Sequence, residues 1–116
     1  MNVTRSQEEL ALSVFRQPPH RYNCAQAVVY AHRSENPDCA LSVEDCAGMG
    51  AGRALEGLCG SLWAACTLRP EASAEIREAF KAQAGSITCH EIKREHGYPC
   101  PECVRLATRL AAHGSA

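Results

Sequence analysis

The stretch Leu55–Leu68, LEGLCGSLWAACTL, carries one charged side chain, Glu56, and that apolar density commits it to the interior of whatever the chain forms. Read as a helix, it places Leu55, Cys59, Leu62 and Cys66 on one face, with Leu58, Trp63 and the alanines on adjacent faces. The spacing predicts a largely buried central helix. Gly57 and Gly60 each cost about 1 kcal/mol of helix propensity relative to alanine. Small residues beside Cys59 therefore make room, either for close helix packing or for a group held near the thiol.

The remaining composition sets the frame for that helix. A chain of 116 residues predicts one domain, 1–116, with a modest single core. Two Phe, three Tyr and one Trp suit an alanine-rich helical core better than a sandwich of strands, so the expected fold is all-α, a compact bundle of about five to seven short helices. Lys plus Arg number 12 against 13 Asp plus Glu, a formal net charge of -1, and the basic groups Lys93, Arg94, Arg105 and Arg109 are interleaved with glutamates. Such a balance excludes the broad positive footprint of a nucleic-acid binder. The absence of an 18-residue apolar run and the polar start MNVTRSQEEL predict no membrane insertion and a cytoplasmic protein.

Along the chain, Ser6 with Glu9 reads as a capping box for a first helix over about Gln7–Arg16, stopped by Pro18 and Pro19. Asn23 with Gln26 opens a second helix through about Arg33, and Ser42 with Asp45 caps a short third one containing Cys46. AGMGAG follows; it lacks the lysine and Ser/Thr of a phosphate loop and predicts a turn feeding the central helix. A helix over about Glu71–Ala84 ends at Gly85, Thr88 with Glu91 caps a short one, and Pro101 starts the terminal helix, on which Cys103, Ala107 and Leu110 align.

Eight cysteines without an export signal point to metal, iron–sulfur or redox chemistry rather than to four permanent disulfides. Cys24 and Cys89 follow cap residues and Cys100 precedes Pro101, so three thiols fall at helix starts, where N–H groups and the dipole favour thiolate. Cys59 joins them if its helix begins near Gly57, and loses the argument if the helix runs unbroken from Arg53. Cys100 and Cys103 form a C-x2-C pair, a spacing that serves one metal or a redox-active disulfide equally. Cys39, Cys46 and Cys66 read as loop or packing thiols. His90 and His96 lie near these thiols, where an imidazole supplies a ligand or a proton, though an exposed histidine with neither task suits both positions as well.

Asn23-Cys24-Ala25-Gln26, then GMGAGR, Cys59-Gly60, Cys89 and Cys100, in this order, resemble the redox-active C_GCAxxG_C_C family from about Asn23 to the end of the final helix. The family's CGAxxG stands here as Cys59-Gly60-Ser61-Leu62-Trp63-Ala64, with serine for alanine and alanine for glycine. The resemblance puts the four signature cysteines on Cys24, Cys59, Cys89 and Cys100. It implies a small helical redox protein, and through a related domain in a dihaem cytochrome it favours a 2Fe-2S cluster; the chain has no C-x-x-C-H for covalent haem.

Three functions follow as expectations. The first is electron transfer through an iron–sulfur cluster on Cys24, Cys59, Cys89 and Cys100, exchanging electrons with a redox partner protein or a small redox molecule. The second is metal-free thiol–disulfide chemistry, with Cys89, Cys100 and Cys103 as the exchanging set. The third is a structural zinc module on the same cysteines. A homodimer is compatible with short alanine-rich helices that bury little area alone.

Overall fold

The computed structural model describes residues 3–36, 38–39, 41–49 and 57–113. Six short helices follow one another: α1 (Val3–Val14), α2 (Cys24–Glu35), α3 (Gly60–Leu68), α4 (Ser73–Ala84), the single turn α5 (Cys89–Glu91) and α6 (Cys100–His113). They form an all-helical bundle, and no sheet exists among the described residues.

The hub is shared between the apolar α3 and the amphipathic α6. In α3, Gly60, Ser61, Leu62, Ala64 and Ala65 are all buried, as its lack of charge requires. The helix packs against α2, α4 and α6. α6 in turn touches α1, α2, α3 and α4, burying Cys103, Val104, Leu106, Ala107, Leu110 and Ala111. Phe80 and Ile76 of α4 and Val28 and Val29 of α2 complete the core.

Several expected boundaries shift. α1 starts at Val3, so Ser6 lies within the helix rather than capping it, and the helix ends at Val14. The chain then reverses in a tight loop, held where Arg16 N–H donates to the Tyr22 carbonyl at 2.9 Å and Tyr22 N–H to the Val14 carbonyl at 3.0 Å. The central helix begins at Gly60 instead of Leu55, which itself lies outside the described residues, as does most of GMGAGR. The Ser42–Asp45 pair closes a reciprocal cap, but over a 3-10 turn, Glu44–Cys46. After α5 the backbone widens into a π turn, Ile92–His96, and Gly97 at φ 63° releases it toward α6.

Gly85 ends α4 in the left-handed region at φ 91°, donating its N–H to the Lys81 carbonyl at 2.8 Å. A side chain there meets both the backbone penalty and the His96 ring. Gly85→Ala is expected to cost about 1–2 kcal/mol, read as a lower urea midpoint with an unchanged slope.

Candidate functional site

The elements at one end of the bundle are brought together by short-range caps and two long-range backbone links. Asn23 Oδ1 accepts from the Gln26 N–H at 2.7 Å, and Gln26 Oε1 accepts from the Asn23 N–H at 3.0 Å, which fixes the start of α2 and puts Cys24 at its first position. The Asn23 amide also donates to the carbonyls of Cys46 and Ala47, and that of Gln26 to Val43, so the same two residues hold the 42–47 segment against α2. Asn23 and Gln26 are thus scaffold residues: they position the thiol between them.

Cys59 N–H donates to the Ile87 carbonyl at 2.9 Å, and Leu58 bridges Thr88. These links lay the start of α3 beside the start of α5. Cys59 stands directly before α3 and Cys89 is the first residue of α5, where the Thr88 hydroxyl accepts from the Glu91 N–H. Cys100 opens α6, and Cys103 follows one turn on, its N–H donating to the Pro99 carbonyl at 3.1 Å.

Cys24, Cys59, Cys89, Cys100 and Cys103 all line one small cavity, together with Gly60, Ile92, Arg16 and Lys93. It offers about 20 Å³ to the centre of a water-sized sphere, room for about one water. Gly60 is what lets the walls close. A Cβ on it would lie 2.7 Å from the Cys24 sulfur and would also run into the Met49 carbonyl oxygen. Cys39, Cys46 and Cys66 lie elsewhere: Cys46 is buried in its 3-10 turn and donates to the Ser42 carbonyl, and Cys66 bonds to the Ser73 carbonyl.

The metal readings are corrected by this geometry. Among the described residues no three His, Cys, Asp or Glu side chains are gathered so as to hold a metal ion, and the nearest cysteine pair is 4.2 Å apart. Sulfurs that share one metal ion each stand about 2.3 Å from it, closer together than these are. Neither the iron–sulfur cluster, 2Fe-2S or other, nor zinc fits Cys24, Cys59, Cys89 and Cys100 as they are arranged, and electron transport through such a centre falls with it. None of the eight cysteines is joined in a disulfide.

What the arrangement does favour is one buried thiolate. The neighbouring thiol of Cys103 lowers the pKa of Cys59 most; the Ser61 hydroxyl, 3.0 Å away, lowers it further. The N–H groups of Leu62 and Ser61 at the start of α3 add to this, although they fall short of a strict capping bond. Together they outweigh the desolvation of a sulfur this deeply buried, and Cys59 is the ionised partner. Cys103 is pushed the opposite way by its nearness to Cys59, by burial and by the negative charge of that sulfur. Burial raises Cys89, opposed by Lys93. The neighbouring Cys100 sulfur raises the pKa of Lys93.

The site therefore gathers all five cysteines singled out in the sequence and adds residues that reading did not assign. Lys93 had a usable signal, since it lies four residues after Cys89 and so on the same helical face. Ser61 had one too, as a hydroxyl within the first turn of α3. Arg16 had none: it reaches the cavity only because the chain reverses between Phe15 and Tyr22. His90 faces outward, with its Nε2 3.4 Å from Arg94. No helix among the described residues is long and apolar enough to cross a membrane. Comparison with protein-family models, curated proteins and solved structures finds no match to this chain.

Proposed function

We propose that this protein performs metal-free thiol–disulfide exchange, with Cys59 and Cys103 as the pair that ends up oxidised. The observation that carries this reading is the gathering of five cysteines around one small cavity, with Cys59 and Cys103 both buried in its wall, where Cys59 is favoured as thiolate and Cys103 as thiol. A nucleophile and its resolving partner need this asymmetry, because the thiolate attacks and its neighbour waits protonated. A redox role is also what the C_GCAxxG_C_C resemblance of the sequence implies. The partner is a protein or small-molecule disulfide, and the reducing cytoplasm is the compartment in which so many thiols persist.

Cys59 is buried, so a substrate does not reach it first; Cys24, Cys89 and Cys100, which line the same cavity, are less buried, and Cys89 also lines an open depression beside it. Closing the pair into a disulfide requires two sulfurs that line the same cavity to approach to about 2.05 Å. Peptide mass mapping of the protein equilibrated in an oxidising thiol buffer is expected to find a Cys59–Cys103 linkage that dithiothreitol removes. A thiol set that stays reduced at every poise of the buffer would overturn the proposal.

A further inference from the structure

A second, wider depression opens beside the thiol cavity, with a volume of about 640 Å³. That is the size of an ordinary small-ligand site. The two share Cys89 and Lys93, so Cys89 faces both the closed cavity and the open groove. Gly57 forms part of the wall, and a Cβ built there meets nothing within 4 Å, which leaves that side clear. Three of the groove's side chains, His90, Lys93 and Arg94, are basic, against one acid, Glu91. The Glu91 carboxylate already accepts from the Ser86 and Thr88 hydroxyls at 2.8 and 2.9 Å, which anchors it within its own turn. The groove therefore presents Arg94 and Lys93 to whatever lies against Cys89, and a guanidinium fork recognises carboxylate best.

We infer that the groove docks a small disulfide bearing carboxylates, such as an acidic peptide disulfide, with its sulfur–sulfur bond at Cys89 and its carboxylates on Arg94 and Lys93. The inference rests on the exchange reading above. Cys89, protonated at rest, gives up its proton beside Lys93 as it attacks one substrate sulfur; the substrate S–S bond breaks, a mixed disulfide forms, and the departing substrate sulfur takes that proton and leaves as a thiol. The Cys59 thiolate attacks the Cys89 sulfur and expels the second substrate thiolate. Once Cys59 is bonded, the negative charge that kept Cys103 protonated is gone. Cys103 then loses its proton to the departing Cys89 and closes the Cys59–Cys103 disulfide. Two electrons pass from the protein dithiol to the substrate, which leaves as two thiols.

The test compares three disulfides with the reduced full-length protein at low salt: oxidised glutathione (acidic), hydroxyethyl disulfide (neutral) and cystamine (cationic). Each rate is divided by that disulfide's rate with a free thiol in solution, and adducts are mapped by mass. Oxidised glutathione is expected to be favoured over cystamine by about tenfold, a gap that narrows with added salt, with the first adduct on Cys89. Arg94 lines the groove but not the thiol cavity. Arg94→Glu should therefore erase or invert the preference, read as the ratio of the normalised oxidised glutathione and cystamine rates. Equal normalised rates for all three, or a preference untouched by R94E, would overturn the groove assignment and leave thiol exchange standing. Failure of the neutral disulfide to react at all would instead overturn the exchange reading, and this inference with it.

Discussion

Replacing Gly60 with alanine is expected to destabilise the protein by about 1–3 kcal/mol and to disrupt the thiol cavity, although alanine is the better helix former by about 1 kcal/mol. Gly60 is the first residue of α3 and its backbone is ordinary helix, so propensity alone predicts a gain. Space reverses the sign. The new methyl would lie 2.7 Å from the Cys24 sulfur and against the Met49 carbonyl, and the second of these is main chain that no rotamer change can move aside. Relief requires α3 to shift away from the 46–49 segment, which Asn23 holds through its two amide hydrogen bonds. Urea unfolding gives the stability change, and the rate at which a small alkylating reagent labels Cys24 and Cys59 gives the opening of the cavity. A G60A protein as stable as the parent, with unchanged labelling, would show that the close approach of Cys24 to α3 is not what this glycine is for.

How much of this was legible beforehand depends on the range of the interactions involved. Helix starts at Cys24 and Cys89 could be read because their caps are local: Asn23 with Gln26 and Thr88 with Glu91 satisfy one another within a single turn. The same local pattern misled at Ser6 and Glu9, which lie inside a helix that begins earlier. The start of α3 was undetermined because it is set by a contact across the fold, the bond from Cys59 to Ile87, which no window of sequence contains. The choice between metal and thiol chemistry was less legible still. Cysteines at helix starts suit both, and the difference lies in whether the sulfurs close around one point, a matter of about an ångström. The placing of Cys103 beside Cys59 in one cavity shows the same limit. The C-x2-C spacing pointed Cys103 at Cys100, whereas the fold turns it toward a cysteine forty-odd positions away.

Removing that partner should have the largest chemical consequence. Cys103→Ala deletes the principal group that lowers the Cys59 pKa, a polar interaction with a charged sulfur worth about 1.5–3 kcal/mol. That corresponds to a rise of about one to two pKa units, and so to a loss of about 10- to 100-fold in thiolate at a pH below both values. Iodoacetamide labelling of Cys59 against pH, read by peptide mass, would show the midpoint move upward. Cys103→Ser separates positioning from chemistry. Its hydroxyl still donates to the thiolate and should keep much of the low midpoint, yet it cannot form the disulfide, so exchange is lost in both variants. Stability follows the same sign. A thiol depressed below its ordinary value of 9.0 contributes stability that is complete above that value and is lost as pH falls through the depressed one. Cys103, raised, opposes this above 9.0, because the unfolded chain would release a proton the folded one retains. The parent should therefore gain stability from mildly acid pH up to about the ordinary thiol value and lose it beyond, while C103A should show a flatter profile on both sides. A Cys59 midpoint that does not move in C103A would mean that the two sulfurs share no proton, and the exchange pair would have to be sought among the other thiols of the cavity.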